Sequence, residues 1–180
     1  SALDIFDILN NRGMQLADAD IFKNIISKSF NDQKITTLNE QWLALDKILK
    51  TDPPIEMTLD QVFKLYMFAL RSTHHFENKS KEPRLRDFFT KDKLGKEALH
   101  DANIIQTLKS MIEFTFQVLN LDDVGCEANA DSAGSSSSSV VNIASLIDDE
   151  VKYDICMLNK YIKNGSWINL ISTFWYCYHS

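Results

Sequence analysis

The scarcity of chain breakers constrains this sequence more than any other feature. Only five glycines and three prolines interrupt 180 residues, although 44% of the residues are hydrophobic. A sandwich or barrel needs many more turn residues between its strands, whereas long apolar runs without breakers favour helices. The sequence therefore predicts an all-α fold, an irregular multi-helix bundle of about six to eight helices.

Apolar spacing and start signals place these helices. Thr37-Leu38-Asn39-Glu40 and Thr58-Leu59-Asp60-Gln61 match the capping box, in which the first and fourth side chains satisfy each other's backbone amides. Pro53-Pro54 ends the helix that follows the first box. The periodic runs predict helices at about 2–11, 18–30, from 37, from 58, at 96–121, from about 140 and from 167, and a short helix or turn at 85–89.

The segment 126–139 is a boundary candidate. It reads CEANADSAGSSSSS and has almost no large apolar side chain, so it cannot bury enough surface to offset the entropy of ordering. We predict a flexible loop there. The predicted organisation is a helical domain at 1–125, the loop at 126–139, and C-terminal helices at 140–180 that pack on the same domain.

Charge and hydropathy exclude some classes of partner. The formal net charge of −6 argues against a large basic surface for nucleic acid. The densest basic group is a nucleic-acid candidate, with a solvated loop and helix face as the alternative: Lys79, Lys81, Arg84 and Arg86. The longest apolar run, 167–178, is too short to span a bilayer, so no membrane partner is expected.

Cysteine and histidine patterns predict neither disulfides nor a metal centre. Cys126, Cys156 and Cys177 are widely spaced and odd in number, which favours a reducing, cytoplasmic setting. The histidines form no zinc-type pair, and the acidic run 148–150 is best explained as a helix start. No nucleophile elbow or glycine-rich phosphate loop is present, so we expect no catalytic residue and no cofactor in this chain.

The turn Asn10-Asn11-Arg12-Gly13 is the remaining candidate site. Arginine supplies a planar fork of donors for phosphate or carboxylate, and asparagine both donates and accepts. At the end of one predicted helix, these groups would reach a ligand held by a neighbouring domain. Alternatively, Asn10 and Arg12 cap free carbonyls of the first helix, and Gly13 permits the turn.

The segment around this turn resembles the N-terminal domain family of GmrSD-type restriction proteins, formerly a domain of unknown function. The pattern is an apolar helix with Phe-x-x-Leu-Asn-x-Arg-Gly, then Leu and Asp-[Leu/Ile]-[Ile/Phe]-Lys-Asn. The matching residues are Phe6, Leu9, Asn10, Arg12, Gly13, Leu16, Asp20, Ile21, Phe22, Lys23 and Asn24. Ala17 departs from it, because the family usually has a hydroxyl residue there that would cap the next helix; we expect Asp18 or the backbone to compensate.

The resemblance implies what this chain does and what it lacks. In that family a nucleotide-binding ParB/sulfiredoxin-like module with an Asp-Gly-Gln-Gln-Arg motif lies upstream, and many members carry an HNH nuclease domain; neither signature is present here. The chain then resembles the non-catalytic helical part of a bacterial phage-defence NTPase/nuclease, with a coupling or DNA-sensing role. NTP and divalent metal would belong to the parent protein, and its nucleotide module would be the partner.

The implied nucleotide-site or interdomain residues are Asn10, Arg12, Gly13, Asp20 and Lys23. DNA is a second implied partner. The alternative function is a helical protein–protein adaptor with no nucleic-acid role. The sequence leaves the oligomeric state open.

Overall fold

The structure, a computed structural model, describes residues 17–28, 32–50, 57–73, 82–119, 147–162 and 166–179. Over these ranges the chain is all-α, as predicted, with eight helices and no strand. The helices are α1 (Asp18–Lys28), α2 (Asp32–Leu49), α3 (Leu59–Thr73), α4 (Leu85–Lys91), α5 (Lys93–Leu99), α6 (Ile104–Leu119), α7 (Asp149–Tyr161) and α8 (Ser166–His179). The helix predicted at 2–11 and the loop predicted at 126–139 lie outside the described residues.

Helix α3 is the centre of the bundle. Helices α1, α4, α5, α6 and α8 all pack against it. Its buried residues cover more than one face: Val62, Phe63, Leu65, Tyr66, Met67, Ala69 and Leu70. A helix that is apolar on most of its circumference is stable only when other helices surround it, so the composition of α3 explains its central place.

Aromatic side chains fill the core beside α3. The Phe63 ring lies 4.8 Å from that of Phe22 and 5.4 Å from that of Phe89, both in edge-on geometry. Trp42 of α2 approaches Phe63 at 6.1 Å between ring centroids. Offset and edge-to-face pairs of this kind add to the stabilisation from burial alone. The cluster joins α1, α2, α3 and α4 into one core.

A second apolar cluster lies where the C-terminal helices meet α6. Phe114 and Val118 of α6 pack with Ile155 of α7 and Trp167 of α8. The Phe114 and Trp175 rings stack at 4.7 Å. Helix α8 also packs along α3. Each of the two described helices of the C-terminal segment therefore buries some of its apolar side chains against the first part of the chain.

One of the two predicted capping boxes is present. The Gln61 carbonyl oxygen accepts from the Thr58 amide at 2.7 Å, and the Thr58 hydroxyl accepts from the Gln61 amide at 3.3 Å. The box predicted at Thr37–Glu40 is wrong, because α2 already begins at Asp32. No glycine or proline separates 32 from 37, so nothing in the backbone stops the helix from extending upstream of the box.

The long helix predicted at 96–121 is also wrong, because the chain turns between α5 and α6. The Asp101 carboxylate accepts from the Asn103 amide at 2.8 Å, and the Asp101 carbonyl accepts from the Ile104 amide at 3.2 Å. An aspartate that satisfies nearby backbone amides ends one helix and starts the next. The acidic run at 148–150 starts a helix as predicted, since Asp148 accepts from the Val151 amide at 2.9 Å.

Tyr66 makes the stability of this core sensitive to alkaline pH. Burial raises the pKa of the Tyr66 hydroxyl well above its ordinary value, and the nearby Tyr176 and Asp101 raise it further. The unfolded chain therefore loses this proton first, near pH 10, while the folded chain still holds it. Stability from this group is complete below about pH 10 and falls as the pH rises toward the folded pKa.

We expect Tyr66→Phe to reduce the alkaline loss of stability by up to about 1.4 kcal/mol for each pH unit above 10. Loss of the hydrogen bond to Tyr176 should cost about 1 kcal/mol at neutral pH. Urea titrations at pH 7, 10 and 11 measure both effects. The control is Tyr153→Phe, because that side chain is exposed. Parallel pH profiles for Tyr66→Phe and the unsubstituted chain would contradict the assignment.

Candidate functional site

The structure shows the helical half of the candidate motif. Asn10, Arg12 and Gly13 lie outside the described residues, which begin at Ala17. Asp20 and Lys23 lie in α1, which the structure places between α3 and α4. The part of the candidate site that the structure describes is therefore the first two turns of α1 and the residues that contact them.

Helix α1 divides the motif into a buried side and an exposed side. Ala19, Phe22 and Ile26 are buried, at the spacing expected of one helical face. Asp20 and Asn24 are exposed and lie one turn apart. The resemblance therefore includes two residues that pack in or against the core, Phe22 and Ile21, and two that the core does not use, Asp20 and Asn24.

Lys23 lies between these two sides. Its ammonium nitrogen is 5.8 Å from the centre of the Trp42 ring on α2. A cation over an indole face is worth about 0.5–1 kcal/mol at an exposed site. Lys23 therefore has a structural contact within this chain, and its half-buried position also leaves part of the side chain in solvent.

The N-terminus of α1 is capped by a residue from another helix. The Asp60 carboxylate of α3 accepts from the Asp18 amide at 3.3 Å and from the Ala19 amide at 2.7 Å. These amides lack partners within the helix, and an anion there also complements the helix dipole. Ala17 cannot supply a side-chain cap, so Asp60 takes that role from 43 positions along the chain.

A second contact ties the same turn to α4. Arg86 donates from Nε at 2.8 Å and from Nη2 at 2.7 Å to the Asp18 Oδ1 atom. The pair is partly exposed, with 24% of the Asp18 side chain and 44% of the Arg86 side chain in solvent. Solvent screening limits a pair of this kind to about 0.2–1 kcal/mol. Asp60 and Arg86 together form what we call the α1 clamp, with Asp18 and Ala19 as the clamped residues.

The structure describes two of the four nucleic-acid candidates. Lys79 and Lys81 lie outside the described residues. Arg86 belongs to the α1 clamp, and Arg84 is exposed immediately before α4. Neighbouring lysines are paired with acids: Lys64 lies 3.2 Å from Glu82, and Lys91 lies 2.6 Å from Asp87. The field of this surface is thus mixed in sign.

The pairing with Lys91 also affects titration. The hydrogen bond from Lys91 holds the pKa of the Asp87 carboxyl below its ordinary value, and the charges of Lys91, Arg84 and Arg86 act in the same direction. Asp87 therefore remains ionised to lower pH than an isolated aspartate, and its negative charge stays beside Arg84. This proximity weakens the surface as a phosphate-binding patch.

A shallow groove of about 430 Å³ lies between α3 and the segment before α4. It is lined by Lys64, Met67, Glu82, Pro83, Arg84 and Leu85. Its lining includes the apolar Met67, Pro83 and Leu85, and Lys64 lies 3.2 Å from Glu82. Such a groove is large enough for a side chain or small ligand, and Glu82 offsets one of its two cations, Lys64 and Arg84.

In the ranges that the structure describes, no three His, Cys, Asp or Glu side chains come close enough to hold a metal ion. No helix there is both long and apolar enough to cross a bilayer.

The α1 clamp is the feature that sequence reasoning missed. Asp60 stands in the first turn of its own helix, where an acid is ordinarily explained by the dipole of that helix. Arg86 stands in a basic run, where solvent exposure is the usual expectation. The one available signal is the missing hydroxyl at Ala17, which leaves the start of α1 in need of an acceptor from elsewhere.

The fold and the clamp define a helical bundle whose first described helix, α1, is fixed from two sides. Comparison of the chain with protein-family models, with curated proteins and with solved structures finds no match to any of them.

Proposed function

We propose that this chain is the non-catalytic helical part of a bacterial restriction protein of the GmrSD type, which acts in the cytoplasm against modified foreign DNA. Its role is to couple an upstream nucleotide-binding module to the rest of the protein. The nucleotide and a divalent metal would bind to that module. The observation that carries the proposal is the motif from Phe6 to Asn24, which resembles the family pattern in register at almost every position and departs from it at Ala17.

The geometry of α1 supports a coupling role. Phe22 anchors the motif in the aromatic core, while Asp20 and Asn24 remain at the surface, where the core makes no use of them. Exposed polar residues within a recognisable motif are better explained by a partner than by packing. Asn10 and Arg12 precede this helix and would complete or communicate with the nucleotide site of the upstream module.

Coupling is better supported than direct DNA sensing. Lys64 and Lys91, two described basic residues on the same surface as Arg84, are paired with carboxylates. Arg86 pairs with Asp18. A protein that reads phosphates needs unneutralised cations, because its affinity comes from displacing counterions. Arg84 is exposed, but Glu82 and Asp87 lie close to it in sequence.

The test joins this chain to the upstream module encoded by its parent gene and measures NTP hydrolysis. We expect Arg12→Ala to reduce the rate by about tenfold or more, the loss that follows from one charge-assisted hydrogen bond to phosphate. Arg84→Ala is the matched control and should leave the rate unchanged. Equal rates for Arg12→Ala and the unsubstituted protein would contradict the proposal, as would a parent gene without the Asp-Gly-Gln-Gln-Arg motif.

One observation favours the alternative, a helical protein–protein adaptor. Leu170 and Phe174 lie one turn apart on α8 and are 73% and 74% exposed. Helix α8 contains no Asp, Glu, Lys or Arg. Adjacent exposed apolar side chains on an uncharged helix are a feature of protein-binding surfaces. A parent gene without a nucleotide module would shift the weight of evidence to this function.

A further inference from the structure

We propose that Asp60 is a positioning residue for the motif helix α1, which it fixes to the central helix α3. The inference rests on the proposed function, in which the motif that faces the upstream module continues into α1, the first described helix. It assigns to Asp60 a role that its place in the chain does not suggest. The Asp60 carboxylate replaces the hydroxyl cap that is missing at Ala17 and thereby ties α1 to a different helix.

A cap from within the same segment and a cap from another helix have different effects on the orientation of the capped helix. A serine or threonine before a helix satisfies the first amides from within the same segment, so the helix remains free to change its orientation. The Asp60 carboxylate satisfies the Asp18 and Ala19 amides from α3, at 3.3 and 2.7 Å. Any movement of α1 away from α3 therefore breaks both bonds and leaves two amides without acceptors.

The rest of the α1 clamp strengthens this link. Arg86 holds the Asp18 carboxylate from α4, so the first turn of α1 is fixed from two directions. Phe22, one turn further along, contacts both Phe63 of α3 and Phe89 of α4. The polar and the apolar contacts thus join α1 to the same two neighbouring helices.

A mutant cycle between Ala17 and Asp60 tests the capping step in this chain. We expect Asp60→Ala to lower the folding equilibrium constant by about tenfold, within the range for loss of a cap. Ala17→Ser alone should change it by less than about twofold, because the first amides are already satisfied. In the Asp60→Ala background, Ala17→Ser should recover about threefold to tenfold.

The matched control removes an aspartate that caps nothing at α1. Asp46 pairs with Lys50 on the exposed side of α2. In the Asp46→Ala background, Ala17→Ser should again change the equilibrium constant by less than about twofold. Additive effects of Ala17→Ser and Asp60→Ala in urea titrations would overturn the assignment of Asp60 as the cap.

The positioning step is tested in the polypeptide that includes the upstream module. Asp60→Ala with Ala17→Ser restores the cap but not the tie to α3, so the folding equilibrium constant of this variant should lie within about threefold of that of the unsubstituted protein. Its NTP hydrolysis should nevertheless fall by at least about threefold, since the first turn of α1 has lost its direct hydrogen bonds to α3 and is held less precisely. Unchanged hydrolysis in this stable variant would overturn the positioning role.

Failure of the inference and failure of the proposed function give different results. If Arg12→Ala lowers hydrolysis and the doubly substituted protein does not, the proposed function stands and the positioning role is wrong. If neither substitution lowers hydrolysis, both are wrong. If the doubly substituted protein alone loses activity, Asp60 keeps its role and Arg12 loses its proposed one.

Discussion

Replacing Phe22 with alanine is expected to lower the free energy of unfolding by about 3–5 kcal/mol, the largest effect of any single substitution considered. The Phe22 side chain is fully buried. Its ring lies 4.8 Å from Phe63 and 4.9 Å from Phe89, so truncation opens a cavity at the junction of three helices. Rigid aromatic neighbours leave the site little room to collapse.

Urea unfolding followed by circular dichroism measures the loss. Phe174→Ala is the matched control, because it removes the same atoms from a side chain that is 74% exposed. We expect it to change stability by no more than about 0.5 kcal/mol. A loss below 1 kcal/mol for Phe22→Ala would show that α1 does not dock on the aromatic core. This result would also remove the structural support for the coupling role.

Gly95→Ala is expected to destabilise the protein by about 3 kcal/mol, near the upper end of the range for overpacking. A Cβ atom at Gly95 would lie 2.3 Å from the carbonyl oxygen of Phe88 and 2.8 Å from its carbonyl carbon. Both are backbone atoms of α4, so relief requires the two helices to separate. Separation would disturb Phe89, which lies beside Phe88 and contacts the core aromatic residues.

Close packing against α4 reverses the usual effect of a glycine-to-alanine substitution on helix stability. In a helix that lacks tertiary contacts, Gly→Ala stabilises by about 1 kcal/mol. Lys96→Ala in the same helix is the control, because Lys96 is exposed and should change stability by less than about 0.5 kcal/mol. Thermal and urea unfolding both report the difference. A stabilising Gly95→Ala would mean that α4 and α5 do not pack closely.

Local signals in the sequence predicted several helix starts because the interactions behind them are local. Thr58 and Gln61 satisfy each other within four residues, and Asp148 reaches an amide three residues away. The same rule failed at Thr37–Glu40, where α2 continues upstream through residues that oppose a helix only weakly. The sequence pattern also gave no sign of the turn at Asp101, where the Asp101 carboxylate accepts from the Asn103 amide and interrupts the predicted helix.

The candidate site was predicted unevenly for the same reason. The motif identified α1 and its residues Asp20 and Lys23, since these are adjacent in the chain. It gave no indication of Asp60, which lies 41 and 42 residues from the amides that it accepts from. Arg86 was a candidate for nucleic acid from its neighbours in sequence, but 68 residues away it finds the Asp18 carboxylate. Residues so far apart in the chain show no periodic pattern from which their contact could be predicted.

By itself, the sequence determined that this protein is helical and where most of its described apolar faces lie, because 3.6-residue spacing and the lack of breakers act within each segment. The tertiary structure alone decided that α3 is the central helix and that α1 is capped from outside its own segment. Both depend on which faces meet after the chain has folded. That outcome depends on the apolar surface buried and the hydrogen bonds satisfied across the whole bundle. No single segment of the sequence contains this information.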